Sequence, residues 1–161
     1  MAPYTMQLRQ GGAFMGGLTY TIINKLCVIG VKLNQMMEAN VPSLTCDYRS
    51  LVRVLLIQHL AKAIMFEATT EQWNRNKGEL YQFAQNSVIM KLGERTISLC
   101  MKHGIVLTEE EMEAILLCDK DDVNTLYASP MVNIVKMANN LTNQSLVREM
   151  MAQDNGDSVS E

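Results

Sequence analysis

Apolar residues recur at helical spacing along most of this chain. From about Leu18 to Asn40 they follow one another at intervals of three and four residues, which is the repeat of an α-helix. The principal row consists of Leu18, Ile22, Leu26, Ile29, Leu33 and Met36. A second apolar row runs beside it and leaves only a narrow polar stripe. A helix with so little polar surface is normally enclosed by other helices.

A second apolar helix is predicted from Tyr48 to about Glu67. The helical pattern is interrupted at residues 40–43, and Asp47 or Thr45 can cap the helix that follows. The centre of this helix, residues 54–57, is apolar on several faces. The first two predicted helices together carry more apolar surface than a small monomer needs, which favours an oligomer.

Capping signals divide the next part of the chain. Thr69 with Gln72 fits a capping box for a third helix, which Gly78 is expected to split. The apolar segment from Glu79 to His103 predicts another helix, closed by Gly104 as its C-cap glycine.

Two further signals mark the start of the last helices. Thr108 with Glu111 fits a capping box for a short helix, and another short helix is expected to follow through Leu126. The pair Ser129-Pro130 is a cap followed by a first-turn proline, which predicts the start of the final helix.

These patterns predict an all-α protein. Runs of β-branched residues and polar–apolar alternation are scarce, and helix-favouring residues are abundant. We expect an irregular bundle of five to six helices around the apolar pair formed by the first two. Residues 1–12 are expected to form a flexible arm, residues 13–152 a single domain and residues 153–161 a flexible polar tail.

Charge is divided unevenly along the chain. Residues 1–107 contain eleven Lys and Arg against six Asp and Glu, a balance of +5. Residues 108–161 contain three against eleven, a balance of −8. A bipolar chain of this kind can attract copies of itself head to tail or offer a basic face to an acidic partner. The sequence leaves open whether the two parts meet within one subunit or between two.

Cysteine usage and the absence of targeting signals favour an intracellular protein. The four cysteines, at positions 27, 46, 100 and 118, form no Cys-x-x-Cys pair and are interpreted as reduced thiols. An intracellular, reducing compartment is therefore expected, which would be the cytoplasm or the nucleus of a host cell if the protein is viral. Asn24 and Lys25 interrupt the apolar segment 13–31, so no membrane span is expected.

The sequence lacks a recognisable catalytic or metal-binding motif. Cys100 and His103 could share a ligand face, but a structural zinc site needs four donors. The acidic stretch from residue 119 lacks the glycine and the glutamate of a calcium-binding loop. No glycine-rich phosphate loop or nucleophile motif is present. We expect no enzymatic activity, no metal and no cofactor.

Self-association is the leading functional hypothesis. The chain is expected to act as a non-enzymatic structural, assembly or adaptor component that forms homo-oligomers, and a viral or phage component of nucleocapsid type fits the composition. The acidic C-terminal part offers a surface for a protein partner. The candidate contact residues are apolar: Leu18, Ile22, Leu26, Ile29, Leu33, Met36, Met37, Met150 and Met151.

Nucleic-acid binding is the alternative hypothesis. Basic residues at helical spacing, with one tryptophan among them, suit phosphate contacts beside base stacking on single-stranded nucleic acid. A regulatory or packaging role would follow. The candidate residues are Arg49, Arg53, Trp73, Arg75, Lys77, Lys91, Arg95 and Lys102.

Overall fold

The computed structural model describes residues 17–68, 70–76, 81–83, 90–120 and 124–157. The predicted arm and the end of the predicted tail, residues 158–161, lie outside these ranges. Five helices of nine or more residues are present in the described part: α1 (Gly17–Asn40), α2 (Tyr48–Ile57), α5 (Leu92–Lys102), α6 (Glu109–Leu117) and α7 (Pro130–Asp157). The remaining elements are short: a 3-10 helix (Pro42–Leu44), α3 (Lys62–Met65), β1 (Phe66–Ala68), α4 (Gln72–Asn76) and β2 (Tyr81–Phe83).

The predicted all-α class is confirmed, and several helix boundaries follow the capping signals. The Asp47 carboxylate accepts a hydrogen bond from the Ser50 amide at the start of α2. Gly104 adopts a φ of 72° just after α5, the left-handed conformation that a C-cap glycine provides. The final helix α7 begins at Pro130 and continues to Asp157, into the segment that the sequence predicted to be a flexible tail.

The predicted second helix is shorter than its apolar pattern indicated. It ends at Ile57, and a turn follows before the single-turn helix α3. The buried Thr96 hydroxyl, on α5, donates to the Gln58 carbonyl (3.3 Å) and accepts from the Ala61 amide (3.4 Å). A side chain from a distant part of the chain thus takes up backbone groups that would otherwise continue the helix.

A short antiparallel ladder replaces helix in two predicted helical segments. Phe66 pairs with Phe83, and Ala68 pairs with Tyr81. Aromatic residues favour strands, and aromatic cross-strand pairs stabilise them. The second helix was predicted to continue to about Glu67, so Phe66 and Glu67 were expected to be helical. The Tyr81–Phe83 segment was expected to belong to the helix from Glu79.

The core lies where α1 and α2 meet the last helices. Helix α1 packs most extensively against α7 and then against α2. Buried side chains from the three helices, including Leu26, Leu55 and Met131, form one cluster with residues of α6. Gly30 permits the close approach of α1 to α2, since a Cβ at this position would lie 2.6 Å from Leu55 Cδ1.

A second close approach joins the start of α5 to the end of α6 at Gly93. A Cβ on Gly93 would lie 2.6 Å from the Ile115 carbonyl oxygen and 3.1 Å from Leu116 Cα, and both atoms belong to backbone. We expect Gly93→Ala to destabilise the protein by about 1–3 kcal/mol through overpacking, despite the higher helix propensity of alanine. Urea unfolding measures this change.

The matched control for Gly93 is Ser98→Ala, at an exposed position of the same helix. We expect it to change the free energy of unfolding by no more than about 0.5 kcal/mol. Equal stabilities for the two variants would show that α5 does not approach α6 as closely as described.

Candidate interaction surfaces

The apolar row that predicted self-association faces the inside of the subunit over much of its length. Ile22 and Leu26 are buried, while Ile29 and Leu33 are half-buried and pack against the core. These four residues are therefore covered, wholly or partly, by the subunit's own helices. Among the other candidates, Met37 is half-buried and two are exposed: Met36 and Met151. The side chains of Leu18 and Met150 lie outside the described part.

Exposed apolar side chains instead form a stripe on α7. Four of them recur along the solvent side of this helix, opposite its buried face. We call this set the α7 stripe: Met137, Leu141, Val147 and Met151, with exposed fractions of 41%, 43%, 38% and 61%. Exposed apolar patches on a folded protein commonly mark contacts with other molecules.

A second exposed apolar row lies on residues 56–64. Leu56, Leu60 and Ile64 recur at intervals of four residues through the end of α2, the turn and α3. Arg49, also exposed, stands two turns before Leu56 on the same helix. We call these three apolar residues the 56–64 row. Leu56 therefore shares one face of α2 with a positive charge.

The two charge regions of the chain meet within one subunit. Lys25 Nζ on α1 lies 2.5 Å from the Glu149 carboxylate on α7 and donates to Ser145. Arg53 Nη1 on α2 lies 3.6 Å from the Glu111 carboxylate on α6. Each ion pair joins a basic residue of the first 107 positions to an acidic residue of the last 54. Part of the bipolar charge therefore stabilises the subunit itself.

The predicted basic face is only partly available to a ligand. Arg49, Lys91 and Lys102 are exposed. Arg53 donates to the Val106 carbonyl in addition to its pairing with Glu111, and Arg95 is buried.

The aromatic part of this predicted face is at the surface. Trp73, on α4, has 65% of its surface exposed. Lys77 and the side chain of Arg75 lie outside the described part of the chain. The structure therefore does not gather the eight candidates into one continuous basic surface among the residues it describes.

Burial perturbs a group of titratable side chains around the turn after α2. Burial, together with the smaller effect of the charge of Lys62, lowers the pKa of His59 to about 3. Burial also lowers the pKa of Lys62, against the opposing effect of Asp119. The Cys118 pKa is raised to about 12 by burial and by Asp119. His59 is therefore a neutral imidazole, and Cys118 a protonated thiol, at neutral pH.

The pKa values of the other three cysteine thiols are raised as well. Burial, with the charges of Glu110 and Asp47, raises the pKa of Cys46 to about 12. Burial also raises the pKa values of Cys27 and Cys100. The structure describes all four cysteines as free thiols. A thiol with a raised pKa is a poor nucleophile, because the thiolate is the reactive form.

The described part of the chain has a surface cavity but no group of residues suited to a metal ion and no helix suited to crossing a membrane. A surface cavity of about 500 Å³ lies between the start of α5 and the end of α6, where Lys91, Asp119 and Lys120 are its charged lining residues. Within the described ranges, no cluster of three or more His, Cys, Asp or Glu residues could hold a metal ion. None of the helices in those ranges is long and apolar enough to cross a membrane.

Comparison of the chain with protein-family models, curated proteins and solved structures finds no match. Sequence reasoning named only Met151 of the α7 stripe as a contact residue and missed Met137, Leu141 and Val147. The signal was present, since these residues recur on a face that the buried residues of the same helix do not occupy.

Proposed function

We propose that this chain is a non-enzymatic, helical assembly or adaptor protein that forms homo-oligomers. The observation that carries the proposal is the presence of two separate exposed apolar rows, the α7 stripe and the 56–64 row. Both consist of side chains that remain at the surface after the subunit has buried its own core. Proteins with such rows commonly bind other protein surfaces through them.

In this proposal the subunit is an irregular bundle around the first two helices, and the surface that contacts other subunits lies outside the apolar row of α1. The row that begins at Ile22 serves the interior of the subunit, so the contacts between subunits are assigned to the exposed rows. Two rows on different elements suit an adaptor, because one can contact a second copy while the other contacts a partner. A viral or phage structural component of nucleocapsid type would fit this proposal.

Nucleic-acid binding is a second candidate, supported by the exposed Trp73 ring and by the exposed Arg49, Lys91 and Lys102. An accessible indole can stack on an unpaired base while nearby cations contact phosphates. The pairing of Arg53 and the burial of Arg95 reduce the positive charge that such a surface would offer. We therefore rank this function below self-association.

Molar mass as a function of protein concentration tests the proposed function. We expect the weight-average mass from sedimentation equilibrium to rise above 18.1 kDa between about 5 and 200 µM. A mass that stays at 18.1 kDa over this range would contradict self-association.

A parallel titration with labelled single-stranded RNA and DNA tests the second candidate. Binding that weakens steeply with added salt and quenches Trp73 fluorescence would support nucleic-acid binding. Absence of binding at low salt would exclude it.

A further inference from the structure

The apolar side chains of the α7 stripe are spaced symmetrically along the helix. Met137 and Met151 each lie seven residues from Gln144, and Leu141 and Val147 each lie three residues from it. Successive residues of a helix are about 100° apart, so all four project within a sector of about 120°. A stripe with this symmetry matches a reversed copy of itself. Such self-complementarity is what an isologous, two-fold interface requires.

We propose that two copies of the chain associate through the α7 stripe, with their α7 helices antiparallel and the two-fold axis beside Gln144. The inference rests on the proposed function and names the surface that performs it. In this arrangement Met137 of one copy lies level with Met151 of the second copy, and Leu141 lies level with Val147. Methionine side chains adapt to irregular contacts of this kind.

The charges around the α7 stripe favour the antiparallel direction. Arg148 is exposed on the same side of α7, and the antiparallel arrangement sets it level with Asn140 of the second copy. The amide oxygen of that asparagine can accept a hydrogen bond from the guanidinium group. The two Arg148 residues are then about 12 Å apart along the helix axis. A parallel pair would instead set them at the same level, where like charges repel.

The ion pair between Lys25 and Glu149 does not obstruct this contact. Glu149 turns away from the α7 stripe toward α1, where its carboxylate pairs with Lys25, and it also accepts a hydrogen bond from Ser145 of its own helix. The proposed contact therefore leaves the α1–α7 packing intact.

The size of the stripe predicts a weak dimer. From Met137 to Met151 it extends over about 21 Å of helix. Two such segments in contact bury less than the roughly 1,200–2,000 Å² typical of stable complexes. We therefore expect a dissociation constant of about 10–100 µM, which lets the dimer form and separate readily.

Disulfide cross-linking tests the antiparallel geometry in the full-length chain. We expect a mixture of Met137→Cys and Met151→Cys chains to give a cross-linked dimer under mild oxidation, and Gln144→Cys to cross-link with itself. Met137→Cys alone is expected to cross-link at least 5-fold less than the mixture. The control is Met101→Cys, which is exposed but lies outside the stripe. Stronger cross-linking of Met137→Cys alone than of the mixture would overturn the antiparallel arrangement.

Sedimentation equilibrium with Leu141→Arg separates this inference from the proposed function. We expect the dissociation constant of the dimer to be at least 10-fold higher for Leu141→Arg than for the wild type. For the control Met101→Gln we expect it to change by less than 2-fold. Circular dichroism and urea unfolding confirm that each variant folds. A Leu141→Arg variant that oligomerises as strongly as the wild type would overturn the assignment to the α7 stripe and leave self-association standing. A wild-type monomer at about 200 µM would overturn both.

Discussion

Acidification from pH 6.5 to pH 4.5 is expected to destabilise the protein by about 2–3 kcal/mol through His59. Burial lowers the pKa of this imidazole to about 3, whereas in the unfolded chain it titrates near 6.5. Between these two values the unfolded state binds a proton that the folded state excludes. The free energy of unfolding therefore falls as the pH falls through this window, by slightly more than about 1 kcal/mol per pH unit.

The variant His59→Gln identifies the source of this dependence, because it keeps a neutral polar side chain and removes the titration. Urea unfolding at several pH values is expected to show a flatter profile for this variant than for the wild type. The control is His103→Gln, at an exposed position, which should retain the wild-type slope. The pH range of this experiment ends at 4.5 because a second group contributes in stronger acid. Lys25 and Ser145 lower the pKa of Glu149, so protonation of this carboxylate causes a further loss of stability there. Equal slopes for His59→Gln and the wild type would contradict the assignment.

Removal of the Glu111 carboxylate is expected to cost about 2–4 kcal/mol of stability in the variant Glu111→Leu. This side chain has only 1% of its surface exposed. Its Oε2 accepts a hydrogen bond from the Thr108 amide (2.9 Å), and the Thr108 hydroxyl accepts one from the Glu111 amide (3.2 Å). The same oxygen faces Arg53. Leucine would leave the Thr108 amide without its acceptor and Arg53 without its counter-charge.

Two companion variants separate the roles of Glu111. Glu111→Gln keeps an oxygen that can accept from the Thr108 amide but removes the charge, so we expect a loss of about 1–2 kcal/mol. Glu109→Leu, at an exposed position in the first turn of the same helix, removes only a favourable charge near the helix N-terminus. We expect it to cost about 0.3–1 kcal/mol. A loss for Glu111→Leu no greater than that for Glu109→Leu would contradict the described pairing.

Local signals were sufficient for the features that depend on a few neighbouring residues. The capping box of Thr108 and Glu111, the Asp47 cap, the C-cap at Gly104 and the start of α7 at Pro130 all involve groups within one turn of each other. Such arrangements are encoded in short sequence windows. The all-α class followed from the same helical spacing.

Features that depend on distant contacts could not be predicted in this way. The second helix stops at Ile57 because Thr96, 38 positions after Gln58, binds the backbone of the turn. Helical spacing alone continues the pattern through this point. The strands at Phe66–Ala68 and Tyr81–Phe83 likewise need each other as partners, and neither carries a strand signal strong enough alone.

The sequence pattern also does not reveal which apolar faces are buried within the subunit and which remain exposed. Periodicity identified the apolar face of α1, but it does not state whether that face meets the chain's own helices or a second copy. The structure places Ile22 and Leu26 against the subunit's interior and leaves the α7 stripe at the surface. The charge asymmetry was likewise clear from the sequence, while the pairing of Lys25 with Glu149 required the fold.

Because α1 packs against α7, its apolar face can be fully buried only after α7 has been synthesised. Leu26 in α1 completes its burial only with residues such as Met131 and Val135, which leave the ribosome more than 100 positions later. The emerging polypeptide therefore holds its first apolar helices unshielded for most of translation, a situation that invites aggregation or capture by chaperones. Removal of the last 30 residues would leave a truncated product in that same state permanently.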